Sequence, residues 1–208
     1  MLKLGDLVAN IGEKKQGFVN VYDTDYSMPV TLINGEGLGK TILITGGIHG
    51  CEYTAIQTVM ELAKEINPKD VKGKIIIIHP VNIQAFKKKV SAVVVEDNKN
   101  LNREFPGNIN GTITEKISYF IENECHSQCD FYVDLHGGDL YEMATNFVYY
   151  PGIAEESVIN KSKEIASLLN VDYMVKSGAK TGSYNYAAIK GVPSILIEKG
   201  ATKQLLKI

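Results

Sequence analysis

His49 and Glu52 stand three residues apart in the stretch Thr41-Ile-Leu-Ile-Thr-Gly-Gly-Ile-His-Gly-Cys-Glu52. That separation puts both side chains on one side of a turn, close enough to share one metal ion. His136 closes another apolar run, Asp130-Phe-Tyr-Val-Asp-Leu-His136, and is followed by Gly137-Gly138. Two ligands close in sequence and a third far away fit a catalytic zinc site, which keeps one position open for water. His2Glu is among the ligand sets such sites use. Asn102 and Arg103 lie in a polar stretch ahead of Phe105-Pro106-Gly107. An arginine there is suited to clamping a carboxylate through two parallel hydrogen bonds, or else to an ordinary surface ion pair. Glu198 ends the run Val192-Pro-Ser-Ile-Leu-Ile197. It is either a charged cap at a sheet edge or, in a parallel sheet, a neighbour of the two histidines. Asp134 precedes His136 by two on the same strand face but deeper, which suits a supporting role.

The elements that must position these residues read as alternating strands and helices. Ile42–Ile44 is a short β-branched run, the pattern of a strand covered on both faces. Ala55, Ile56, Val59, Met60, Leu62, Ala63 and Ile66 then recur at helical spacing, predicting a helix over 52–66. Phe18–Tyr22 and Pro29–Ile33 read as an antiparallel hairpin or meander ahead of the central strand, with Asn34-Gly35 as a turn signal. Lys74–His79 predicts a second buried strand, and 83–90 a short helix carrying Lys87, Lys88 and Lys89 on a solvated face. Residues 91–111 form a long loop, a kind of segment that is often functional. A helix follows over Thr112–Cys129, then the strand 130–136, a strand at 146–150 and a helix over 155–169. A short strand at 171–175, a short helix at 184–190 and the strand before Glu198 complete the series. This order predicts an α/β fold: a mixed, largely parallel central sheet with helices on both faces. Ligands in such sheets bind outside the carboxyl ends of the strands, where His49, His136 and Glu198 all fall.

Composition narrows the partners. Formal net charge is −2, which gives no basic face for nucleic acid. No apolar run approaches the ~20 residues of a membrane span, and Met1–Gly17 lacks the apolar core of a signal peptide. Three cysteines argue against a disulfide framework and for a reducing, cytoplasmic setting. No internal repeat or linker divides the chain, so one catalytic domain over 1–208 is expected.

Four short motifs together resemble a known group. His49-Gly-Cys-Glu52, Asn100-Leu-Asn102-Arg103-Glu-Phe-Pro-Gly107, Asp134-Leu-His136-Gly137 and Ile195-Leu-Ile-Glu198-Lys-Gly200 occur in that order. The set resembles the succinylglutamate desuccinylase/aspartoacylase group of the zinc carboxypeptidase superfamily. The resemblance implies zinc held by His49, Glu52 and His136, a substrate carboxylate bound by Asn102 and Arg103, and Glu198 as general base towards zinc-activated water. The implied reaction is hydrolysis of the amide bond of an N-acyl amino acid that carries a free carboxylate. Three departures stand out. Asn100 replaces the usual Asp that orients the first zinc histidine; an amide oxygen can still orient the ring, but it raises ligand basicity less than a carboxylate. Val95 replaces an Arg that polarises the scissile carbonyl, and losing such a donor typically costs on the order of 10²–10³ in rate. Lys99, or one of Lys87–Lys89, is a substitute to look for. Last, the β-rich C-terminal domain usual in the group is missing, as in a minimal version with an open site or in a fragment.

Two rival functions remain open: a zinc carboxypeptidase on short peptides, and a non-catalytic zinc- or ligand-binding relative. Cys125-His126-x-x-Cys129 has metal-ligand residue types but falls near a helix end and reads as core packing. Cys51 reads as spacing between two ligands, and His79 as a structural histidine. Tyr184 or Tyr186 would suit a tyrosine near the scissile bond.

Overall fold

The computed structural model describes residues 1–200, so the last eight positions of the expected domain lie outside the described residues. Two short strands, β1 (Leu2–Leu4) and β2 (Leu7–Ala9), pair antiparallel on their own. All other strands share one eight-stranded sheet. In chain order these are β3 (Glu13–Asn20), β4 (Ser27–Asn34), β5 (Thr41–Gly46), β6 (Lys74–Ile78), β7 (Phe131–His136), β8 (Phe147–Pro151), β9 (Tyr173–Ser177) and β10 (Ser194–Glu198). Their spatial order is β3-β4-β6-β5-β7-β10-β8-β9. The central four, β6, β5, β7 and β10, run parallel. The hairpin β3–β4 joins β6 antiparallel, and β8 joins β10 antiparallel on the other side. The hairpin expected near 18–33 is present, but its first strand begins at Glu13, ahead of the apolar run, because ladder pairing extends to Glu13↔Asn34.

Helices cover both faces, as the alternation of side chains requires. Ile33, Ile77, Ile44 and Leu135 pack under Val59 and Ala63 of α1 (Tyr53–Glu65). On the same face Phe131, Val133, Ile195 and Ile197 meet Ala166 of α4 (Glu156–Ala166). Period-two alternation sends Tyr132, Asp134 and His136 of β7 to the opposite face. There Leu43, Ile76, Tyr132 and Leu196 share a core with Ile117 of α3 (Ile113–Phe120) and Ala187 of α5 (Ser183–Ile189). The short helix α2 (Ile83–Lys88) carries the expected exposed lysines.

The predicted helix over 112–129 needs correction. It is α-helical only to Phe120, then widens into a π turn over Ile121–Cys125 and tightens into a 3₁₀ turn over His126–Gln128. The wide turn directs His126 inward, stacked on Phe105 and tilted against Tyr132.

Gly47 makes the bend from β5 towards α1. It adopts φ +74°, and a β-carbon there would lie 2.5 Å from Cβ of Pro80. Both facts demand glycine. The far end of α1 is capped from fifty residues upstream: Lys14 Nζ of β3 donates to the carbonyls of Ala63, Lys64 and Ile66 at 3.1, 2.8 and 2.8 Å. These carbonyls have no intrahelical partner, and their end of the helix dipole favours a cation. Lys14→Met keeps the apolar stem and removes the cap. It should destabilise the fold by about 1–2 kcal/mol, read as a fall in Tm of roughly 3–6 °C.

Candidate active site

Three side chains meet at the carboxyl ends of β5 and β7. Glu52 occupies the N-cap position of α1 but makes no capping bond with its side chain. Its carboxylate turns instead between the two histidines. Glu52 Oε1 is 2.7 Å from His49 Nδ1, and Oε2 is 2.9 Å from His136 Nδ1. One donor atom from each of the three lies within 4.8 Å of the others, and among the described residues no other His, Cys, Asp and Glu group meets that condition. Glu52 and His136 are buried, at 7% and 3% exposure. Glu52 Oε2, though buried, has no hydrogen bond of acceptable geometry. A buried carboxylate oxygen left this way, flanked by two imidazole nitrogens, fits a divalent cation.

The outer nitrogen of each ring faces an oxygen behind it. Asn100 Oδ1 lies 3.2 Å from His49 Nε2 and also accepts from the Asn102 backbone N–H at 2.9 Å. A backbone N–H can only donate, so the atom facing His49 is the amide oxygen, and His49 must carry its hydrogen on Nε2. Nδ1 is then the nitrogen turned towards Glu52, and the one that would offer its lone pair to a metal. Asn100 thus takes up the orienting position expected for it. His136 Nε2 faces Asp134 Oδ2 at 3.2 Å, the supporting position expected of Asp134, as an ion pair in which neither atom has a hydrogen bond of acceptable geometry.

Charges in the cluster follow from these contacts. Burial opposes ionisation of Glu52, but the His136 and His49 imidazoles outweigh it and bring its carboxyl down to about 2. Burial likewise opposes a charge on His136, yet the Glu52 and Asp134 carboxylates raise its ring well above the usual histidine value. Glu198 stands opposite His136 in the β10–β7 register. Burial is the main cause that lifts its carboxyl to about 7.

These residues face a cleft of about 440 Å³. His49, His136, Asn102, Arg103 and Glu198 all line it, so the sequence-predicted residues come together, apart from Glu52, which lies beneath the two rings. Arg103 is exposed and bonds Asn102 O through Nη1 at 3.1 Å; among the described residues no carboxylate pairs with it. Asn102 is buried, and its Oδ1 accepts from the Ser183 backbone N–H at 2.9 Å. Its amide hydrogens are therefore what it can offer a ligand. Tyr149, Ser177 and Tyr184 also line the cleft. Of these only Tyr184 was flagged in the sequence, and Tyr186 packs against the core instead. Tyr149 and Ser177 come from β8 and β9, whose place beside β10 no local pattern reveals.

Three sequence readings resolve as follows. Among the described residues no lysine takes the place of the arginine missing at Val95. Lys99 pairs with Glu115 at 3.2 Å and Glu104 at 3.7 Å, Lys87–Lys89 are exposed on α2, and none of the four lines the cleft. Cys125 and Cys129 are buried thiols, and the His126 ring bonds Glu122 rather than either sulfur, while its carbonyl accepts from Cys129 Sγ. His79 bonds Thr31 Oγ1 at 2.7 Å, away from the cleft.

The lifted carboxyl of Glu198 makes stability depend on pH in the metal-free protein. Its folded value, about 7, lies above the ordinary 4.5. The folded state therefore prefers the neutral acid, and that preference is lost as pH rises from about 4.5 through 7. Glu198→Gln is neutral throughout. Relative to wild type it should gain stability at pH 8 and show little difference at pH 4.5, as measured by urea unfolding in the presence of a chelator.

Similarity to known proteins gives the family. The chain is 37% identical over 113 residues to the N-alpha-acetyl-L-2,4-diaminobutyric acid deacetylase of Halomonas elongata, covering 53% of this chain and 32% of that protein. Its fold matches the succinylglutamate desuccinylase/aspartoacylase of Rhodobacter sphaeroides with a TM-score of 0.83 at 20% identity, over 98% of this chain and 65% of the other. The product-bound ectoine utilization protein EutE (DoeB) of Ruegeria pomeroyi matches with a TM-score of 0.78 at 27% identity, over 91% and 62%. The chain thus spans about a third of the length of the curated relative and under two thirds of these structures. Residues 38–207 match the succinylglutamate desuccinylase/aspartoacylase catalytic domain, a stretch that contains every cleft residue described above, and the chain belongs to that family.

Proposed function

We propose that this chain is the catalytic part of a zinc-dependent deacylase that hydrolyses the amide bond of an N-acyl amino acid with a free carboxylate. The observation that carries the reading is the His49–Glu52–His136 cluster opening onto a cleft that Arg103 and Glu198 also line. The Halomonas relative, a deacetylase of an N-acetylated amino acid, supports the substrate class. A zinc ion on His49 Nδ1, Glu52 and His136 Nδ1 would supply a Lewis acid for the amide carbonyl and for water.

The chain's own groups do the rest. Arg103 and the Asn102 amide hydrogens bind the carboxylate and place the scissile bond over the cluster. Glu198 accepts a proton from the attacking water as oxygen bonds to the acyl carbon. It returns that proton to the nitrogen as the carbon–nitrogen bond breaks, giving a carboxylic acid and an amine. A carboxyl near 7 is matched to both halves of this transfer at neutral pH.

Metal analysis tests the first half of the reading. Purified protein should hold about one zinc per chain, and His136→Ala should lose it; full zinc in the variant would remove His136 from the ligand set.

Kinetics test the second half. On a panel of N-acetyl and N-succinyl amino acids set against dipeptides, the acylated amino acids should turn over. Glu198→Gln should keep zinc and lower kcat by roughly 10²–10⁴. Arg103→Lys should weaken binding, because lysine lacks the planar fork, and amidation of the substrate carboxylate should then harm wild type far more than the variant. Equal sensitivity of the two would place the carboxylate elsewhere.

A further inference from the structure

Behind His136 a chain of buried polar groups crosses the core to the π turn. Thr45 Oγ1 donates to Asp134 Oδ1 at 2.7 Å and meets the Tyr132 hydroxyl at 2.7 Å. The Tyr132 hydroxyl meets Ser183 Oγ at 2.8 Å, and Ser183 Oγ meets His126 Nε2 at 3.4 Å. His126 Nδ1 lies 2.9 Å from Glu122 Oε2. Thr45, Tyr132, Asp134 and Ser183 are 0% exposed, His126 1% and Glu122 8%. These residues come from β5, β7, α5 and the turns that follow α3. The reaction outlined above uses none of the groups beyond Asp134.

The hydrogens in this chain can be counted. Thr45 has one hydroxyl hydrogen and gives it to Asp134, so the Tyr132 hydroxyl must donate to Thr45. Tyr132 then has none left for Ser183, and Ser183 must donate to the Tyr132 oxygen. Ser183 in turn has none for His126, so His126 must carry a hydrogen on Nε2 and donate it. Its other nitrogen still faces a carboxylate oxygen, and two bare lone pairs at that distance repel. A second hydrogen must therefore sit between His126 Nδ1 and Glu122 Oε2. With Asp134 the ionised acceptor of the Thr45 hydrogen, any other assignment leaves a buried hydroxyl pair with no hydrogen between its oxygens, which is costly in a dry interior.

We propose that this relay is a positioning device for the metal cluster: the proton shared by Glu122 and His126 fixes the direction of every hydroxyl between them and Asp134, and so holds the Asp134 carboxylate behind His136. Ser183 is its hub. Its hydroxyl stands in the relay while its backbone N–H holds Asn102 Oδ1 at 2.9 Å, so one residue braces both the ligand side and the carboxylate-binding side of the cleft. Thr45, Tyr132, Ser183 and His126 are positioning residues. The inference rests on the reading of His49, Glu52 and His136 as metal ligands, and its test has one arm that does not need the metal.

In the metal-free protein, ¹⁵N spectra of the histidine rings should show His126 protonated at Nε2. The His136 ring signals should shift in Tyr132→Phe, which removes the linking hydroxyl and keeps the ring. A bare Nε2 on His126, or unmoved His136 signals, overturns the proposal. In the second arm, zinc affinity is read by chelator competition. Tyr132→Phe and Ser183→Ala should each weaken it by about tenfold, the range typical of groups that orient a ligand. The double variant should lose little more than either single, because both cut the same chain. Thr45→Ser keeps a hydroxyl and should stay within about twofold of wild type. Unchanged affinities, or losses that multiply in the double variant, overturn the proposal. If Tyr132→Phe does not fold, Ser183→Ala decides both arms. If wild type binds no zinc, the metal reading fails and the relay stands or falls on the spectra.

Discussion

The constraint on which the rest depends is a carboxylate out of water. Glu52 is buried between two imidazoles, and a charge in that position is tolerable only if cationic or proton-bearing groups surround it. Everything near it serves that requirement. Gly47 lets the chain double back so that His49 and Glu52 face each other. The alternation of β7 brings His136 to the same spot, and Asn100 and Asp134 stand behind the outer ring nitrogens. Losing any one imidazole would leave the acid to reclaim a proton, so the cluster behaves as a unit.

Glu52 and Glu198 show how environment separates two like groups. Glu52 is buried and Glu198 half-buried at the same end of the sheet. Glu52 touches both histidines and is held ionised; Glu198 touches neither closely, and desolvation leaves it close to half-protonated at neutral pH. One carboxyl is fit to hold a cation and the other to exchange a proton. The gap at Val95 weighs the other way. With Lys99 committed to Glu104 and Glu115, Arg103 is the cation that lines the cleft among the described residues, and it cannot both clamp a carboxylate and steady a carbonyl.

What could be read from the sequence follows from how local each signal is. His136 and Glu198 were legible because each ends a strand, and His49 and Glu52 because they fill the turn from a strand into a helix; β-branched runs announce strands without reference to the rest of the fold. The parallel core followed from strand–helix alternation. The π turn was not legible: one extra residue in a helical turn has no compositional mark, and Ile121–Cys125 reads as ordinary helix. Nor was the relay, because Thr45, Tyr132 and Ser183 are common core-strand and helix-start residues that acquire a role only through neighbours 87 and 51 positions away. His126 drew attention for the cysteines beside it, yet its partners are Glu122, one turn back, and Ser183 across the core.

The strand order carries a consequence for how the molecule assembles. β10 is the last strand in chain order among the described elements, yet it lies in the interior of the sheet, between β7 and β8. Until it arrives, β7 has one open edge and the β8–β9 pair has nothing to join. The sheet therefore cannot grow outward from a finished middle as the chain leaves the ribosome; its seam must wait for the strand that bears Glu198. Folding should be governed by distant pairings and slow for the chain's length, with a long interval in which an apolar parallel edge is open to misassociation.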